Sequence, residues 1–89
     1  MSRRYELTLE NGTVLHVKPP TVRQFYKGLK AAATDAELFR AIAEICSGND
    51  ENIDISEEYV IDNFTVDDLH GFFRGFTDWV MSERDKNPN

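Results

Sequence analysis

Asp50, Asn52, Asp54, Ser56 and Glu58 place an oxygen-bearing side chain at every second position, the spacing with which an EF-hand loop surrounds calcium. Such a loop also needs glycine at its sixth position for the turn and a bidentate glutamate at its twelfth. Here those places hold Ile55 and Ile61. The run therefore predicts millimolar calcium binding at best, and its acids read as a polar loop leading to a Ser56 helix cap. His16 and His70 have no cysteine or second histidine at ligand spacing, so zinc is not expected. Cys46 lies on an apolar helical stripe beside Glu44 and Asp50, surroundings that suit a small core residue and not a thiolate nucleophile. Neither a glycine-rich phosphate loop nor a Ser/His/Asp grouping can be picked out. The expected count of catalytic residues, metals and cofactors is none.

A different chemistry, close approach of a second backbone, is suggested near the C-terminus. Gly71 and Gly75 interrupt a helical pattern, and each costs about 1 kcal/mol relative to alanine. On a helical wheel they lie beside Phe72 and Trp79, away from the centre of the apolar stripe. Gly71, Phe72, Gly75 and Trp79 are thus the candidate partner-binding strip. Small residues would admit another chain while the rings supply apolar area. Exposed glycines that are simply tolerated account for the same pattern.

The elements that would carry these residues follow from periodicity. Tyr5, Leu7 and Leu9 alternate with Glu6, Thr8 and Glu10, as in a half-buried strand, and Asn11-Gly12 signals a hairpin. A three-residue loop with Gly12 left-handed pairs Leu7 with Leu15 and Tyr5 with Val17. A two-residue turn would instead scatter the apolar groups over both faces. Pro19-Pro20 ends the second strand. Thr21 with Gln24 forms a capping box ahead of Val22, Phe25, Tyr26, Leu29 and Ala33. Thr34 with Glu37 opens a second helix whose stripe is Leu38, Phe39, Ile42, Ile45 and Cys46, with Gly48 as a left-handed stop. Ser56 starts a short helix carrying Tyr59, Val60 and Ile61 and closing near Asn63. Thr65 caps the last helix, with Asp67 and Asp68 in its first turn, where carboxylates favour the dipole. Its apolar set, Val66, Leu69, Phe72, Phe73, Phe76, Trp79 and Val80, spans an arc of roughly 140°. The expected fold is α+β and mostly helical, an N-terminal β-hairpin packed on a bundle of about four helices. One domain is expected over 1–89: hairpin in 1–18, helical part in 21–85, frayed tail in 86–89.

At 89 residues the chain buries only about 60–65% of its unfolded surface. Its net charge of −6 is unevenly placed. Residues 1–40 hold seven Lys/Arg against four Asp/Glu, whereas residues 41–73 hold nine acids and no base. A phosphate backbone would be repelled by that middle third, so nucleic-acid binding is not expected. The acids suit a solvated face or a surface that steers a basic partner. No apolar run approaches the roughly 20 residues that span a bilayer. With no signal peptide in Met1-Ser2-Arg3-Arg4 and a single cysteine, a cytoplasmic location is expected.

The run from Leu9 to Val22, in which Leu9-Glu10-Asn11-Gly12-Thr13-Val14 leads through Lys18-Pro19-Pro20-Thr21-Val22 to Phe25 on a helix, resembles small tail assembly chaperones of long-tailed bacteriophages. The acidic middle and the short helix before a longer final one are similar too. The resemblance implies a non-catalytic phage or prophage protein acting in the host cytoplasm. It would coat the helical, hydrophobic tape-measure protein, help recruit tail-tube subunits, and self-associate as a homo-oligomer. It implies no catalytic residues. Two other readings remain open: an acidic regulatory or inhibitory protein that occupies a basic site on its partner, and a structural component of a larger viral assembly. An acidic mimic should lose its partner steeply with salt, whereas a chaperone gripping apolar helix should not.

Overall fold

Two four-residue strands, β1 (Tyr5–Thr8) and β2 (Val14–Val17), pair antiparallel with Leu7 opposite Leu15 and Tyr5 opposite Val17. This is the register that the apolar alternation demands. The computed structural model describes residues 3–86. The turn is closed by Gly12 N–H on the Leu9 carbonyl (2.9 Å) and Leu9 N–H on the Thr13 carbonyl (2.8 Å). Gly12 sits at φ +95°, where a Cβ would be strained. Leu7, Leu9, Leu15 and Val17 are all buried against the helices.

The Thr21–Gln24 capping box forms in both directions: Gln24 N–H donates to Thr21 Oγ1 (3.1 Å) and Thr21 N–H to Gln24 Oε1 (3.0 Å). The helix it opens is not α-helical, however. Arg23–Leu29 is a π-helix, ending with Lys30 N–H on the Phe25 carbonyl five residues back (2.9 Å). The wider winding corrects the expected stripe. Phe25 and Leu29 are buried, but Val22, Tyr26 and Ala33 stay exposed.

Helix α1 (Asp35–Cys46) starts at Thr34, whose Oγ1 accepts from Glu37 N–H, and buries Ile42, Ile45 and Cys46. It does not end on a left-handed Gly48. Ser47 and Gly48 N–H close back on the Ala43 and Ile45 carbonyls, and the left-handed residue is Asn52 at φ 60°. Segment 48–51 then runs along the outer edge of β2. Val17 bridges Asn49, Lys18 N–H reaches the Gly48 carbonyl (2.7 Å) and Asp50 N–H the His16 carbonyl (3.0 Å). Helix α2 (Glu57–Asn63) is capped by Ser56 and buries Val60, while Ile61 faces water.

The long helix α3 (Val66–Lys86) begins at Thr65, whose Oγ1 accepts from Asp68 N–H (2.9 Å). Asp68 is itself buried: its carboxylate accepts from Thr65 N–H (3.1 Å) and, across the fold, from Glu10 N–H (3.2 Å). One side chain thus caps the helix and pins it to the hairpin. Phe72 and Phe76 complete the core, stacked at 4.9 Å and meeting Tyr5 edge-on. The fold is α+β and mostly helical, a hairpin with four helices. α3 runs through Lys86, and the remainder of the expected tail lies outside the described residues. Among the described residues no helix is long and apolar enough to cross a membrane.

Candidate functional site

The four residues expected to form an exposed strip on α3 are not presented together. Phe72 is a core residue, 1% exposed. Gly75 faces inward: a Cβ built there would fall inside the van der Waals envelope of Tyr5 Oη. Trp79 is partly buried, 5.7 Å from the Tyr5 ring and covered by the Arg3 guanidinium at 4.0 Å. Only Gly71 stands in open space. The expectation fails for a physical reason. The glycine border of α3 is the side that receives β1, so the small residue at 75 admits Tyr5 of the same chain instead of a second backbone.

The unsatisfied apolar border is the opposite one. Val66, Leu69, Phe73 and Val80 recur at helical spacing along the other flank of α3. Three cavities line up beside them. The first, about 150 Å³, lies between α2 and the start of α3, lined by Val60, Ile61, Phe64, Val66 and Leu69. The second, about 240 Å³, shares Leu69 and runs between Phe73 and Leu29, Ala33 and Leu38. The third, about 230 Å³, opens between Trp79 and Val80 on one side and Pro20, Val22 and Tyr26 on the other. Among the described residues six large hydrophobic side chains are exposed, and five of them line these cavities: Val22 (74%), Tyr26 (42%), Ile61 (59%), Val66 (67%) and Phe73 (41%). Single exposed apolar groups are ordinary, but a row of them along one helix flank marks an interaction surface. Thr77, also on this flank, has a buried hydroxyl without a hydrogen-bond partner.

The wheel gave the right set of side chains and the wrong border. The apolar arc of α3 is wider than one core contact fills, and that excess was legible in the sequence. Which edge of the arc remains open depends on where β1 packs, some sixty residues away in the chain.

The polar groups hold the fold together. Asp50 takes Arg4 Nε on both carboxylate oxygens at 2.9 Å, and Glu51 accepts His16 N–H at 2.8 Å and meets His16 Nδ1 at 2.5 Å. Arg40 pairs with Glu57 at 3.4 Å. The loop oxygens at Asp50, Glu51 and Ser56 are therefore engaged with neighbours or a helix end. Cys46 is buried, and desolvation pushes its thiol up to about 12, where no thiolate forms near neutrality. Among the described residues no cluster of three His, Cys, Asp or Glu side chains stands close enough to hold a metal.

The His16–Glu51 pair has a pH signature. The hydrogen bond to Glu51 raises His16 above its ordinary 6.5, and the His16 N–H and ring hold Glu51 below its ordinary 4.5. The raised histidine stabilises the fold below its unfolded value and stops doing so as pH rises through its folded one. The lowered carboxylate stabilises above its unfolded value and stops as pH falls through its folded one. The pair therefore acts in the window between the two. In Glu51→Gln, the His16 titration midpoint followed by NMR is expected to fall back toward the ordinary range. An unchanged midpoint would show that Glu51 does not hold the ring.

With this geometry in place, comparison with protein-family models, curated proteins and solved structures yields no match.

Proposed function

We propose that this is a non-catalytic protein-binding domain whose α3 trough receives an apolar helical segment of a client, acting in the cytoplasm as a phage tail assembly chaperone. The carrying observation is the row Ile61, Val66, Phe73, Tyr26 and Val22, left in water along three aligned cavities. A groove of this kind suits an amphipathic helix that lays successive turns of its apolar face against it. The surrounding acids, which give the chain its net charge of −6, would keep a coated, otherwise insoluble client dispersed. A helical tape-measure protein is such a client, and tail-tube subunits would be recruited to the coated complex.

Occupation of a basic site by the acidic face is less well supported. Asp50, Glu51 and Glu57 are paired within the chain, and Asp68 is buried under the hairpin. Fewer of the nine central acids are left to face a partner.

The test is calorimetric titration with a synthetic amphipathic helix from a tape-measure coiled-coil segment. Val66→Asp/Phe73→Asp is expected to weaken binding at least about tenfold, equivalent to 1.4 kcal/mol, with the circular dichroism spectrum unchanged. Asp54→Lys/Glu58→Lys should leave affinity within about twofold, since a helix held by apolar area is little affected by distant charge. The reverse pattern, loss in the lysine variant and none in the aspartate variant, would end the trough reading.

A further inference from the structure

The two edges of the hairpin differ. The outer edge of β2 is closed by segment 48–51, which takes both the N–H and the carbonyl of His16. The outer edge of β1 is open. In an antiparallel pair, successive residues direct their backbone groups alternately toward and away from the partner. Leu9 N–H bonds Thr13, which places Leu9, Leu7 and Tyr5 in the inward phase. His16, opposite Glu6, points away from β1, so Glu6 and then Thr8 point away from β2. The next outward N–H, of Glu10, is taken by Asp68. Among the described residues no hydrogen bond engages the backbone of Glu6 or Thr8 on that side. Both side chains are exposed, and a trough of about 280 Å³ separates this edge from Asp67 and Gly71 of α3.

We propose that β1 is a dimerisation strand, pairing antiparallel with β1 of a second copy about a two-fold axis through Leu7 to give a four-stranded sheet. The occupant is chosen by charge. A two-fold pairing that uses the outward phase of Glu6 and Thr8 can be centred on residue 6, 7 or 8. Centred on residue 6, Glu6 faces Glu6 of the second copy. Centred on residue 8, Glu6 faces Glu10 twice over. Like charges directly opposite are destabilising. Centred on Leu7, Glu6 meets Thr8, Leu7 meets Leu7, and Arg4 meets Glu10 at both ends. Of the three registers, this one has no like-charge pair and two opposite-charge pairs. Arg4 has the donors for it. Its Nε holds Asp50 and Nη1 the Arg3 carbonyl, leaving Nη2 for a second carboxylate. Pairing supplies four backbone hydrogen bonds, from Glu6 and Thr8 of each copy. It leaves the α3 trough, on the other flank, uncovered and is independent of what that trough binds.

Sedimentation equilibrium of the full chain tests this. The wild-type chain is expected to show a dimer mass that dissociates on dilution. Thr8→Pro removes an outward N–H without breaking the β1–β2 ladder, and should sediment as a monomer with an unchanged circular dichroism spectrum. Arg4→Glu and Glu10→Arg each create like-charge pairs in the homodimer and should each weaken association at least about tenfold. An equimolar mixture of those two variants restores opposite charges at both ends and should recover the dimer. A wild-type chain that stays monomeric to millimolar concentration would overturn the proposal. So would a Thr8→Pro dimer of wild-type affinity, or a mixture no tighter than its components.

Discussion

Asn49→Ala is expected to lower the unfolding free energy by about 2–4 kcal/mol, one of the largest losses available to a single polar side chain here. Asn49 is 3% exposed and fully used. Its Nδ2 donates to the Cys46 and Ile53 carbonyls, both at 2.7 Å, and its Oδ1 accepts Ile53 N–H at 3.0 Å. Truncation leaves a buried helix-end carbonyl and a loop N–H without partners, and each such group costs about 1–3 kcal/mol. Asn49→Asp keeps the acceptor but cannot donate when ionised, so it places a charge against two carbonyls and should cost at least as much. Urea titration monitored by Trp79 fluorescence measures both. A loss below about 0.5 kcal/mol for the alanine variant would mean that the 48–51 segment is held by other bonds. The consequence reaches beyond stability, because that segment closes the β2 edge. Were it loosened, His16 would present open backbone groups on a second edge, and strand pairing would no longer be confined to β1.

Much of this architecture is local and was legible in the residues. The hairpin register follows from alternation and one glycine, and the caps at Thr21, Thr34, Ser56 and Thr65 all accept the hydrogen bond that their spacing implies. The apolar positions of α1 pack as their period requires. Three features were not legible, each because it depends on a distant neighbour or on backbone winding. The π-helix at Arg23–Leu29 carries an ordinary helical pattern, yet its i→i+5 closure swings Val22 and Tyr26 into water. Asn49 reads as one more polar loop residue, since its value lies in carbonyls brought together by the turn. The orientation of α3 is set by Tyr5, so a wheel drawn on α3 alone gives the width of the apolar arc but not the border that stays open.

Gly75→Ala is expected to destabilise the protein by about 1–2 kcal/mol, although alanine is the better helix former by about 1 kcal/mol. The opposing term is overpacking, which typically costs about 1–3 kcal/mol. A Cβ at residue 75 would intrude on Tyr5 Oη, and the Tyr5 ring cannot readily retreat. It lies 6.0 Å from Phe72, 5.4 Å from Phe76 and 5.7 Å from Trp79, edge-on or tilted to each. The clash is with the hydroxyl alone, because the same Cβ would stand 3.5 Å from Tyr5 Cζ, an ordinary contact. Removing that oxygen should therefore reverse the sign. In a Tyr5→Phe background, Gly75→Ala is expected to stabilise by up to about 1 kcal/mol, giving a coupling of about 2 kcal/mol between the two sites. Urea denaturation of the four proteins closes the cycle. Additive effects, or a Gly75→Ala variant that is more stable than wild type, would show that Tyr5 swings aside at no cost and that Gly75 is not its seat. The coupled outcome would explain why a helix-weakening residue sits in the middle of α3. It would also mark the Tyr5–Gly75 contact as what turns this border of α3 toward the hairpin and leaves Val66 and Phe73 facing water on the other.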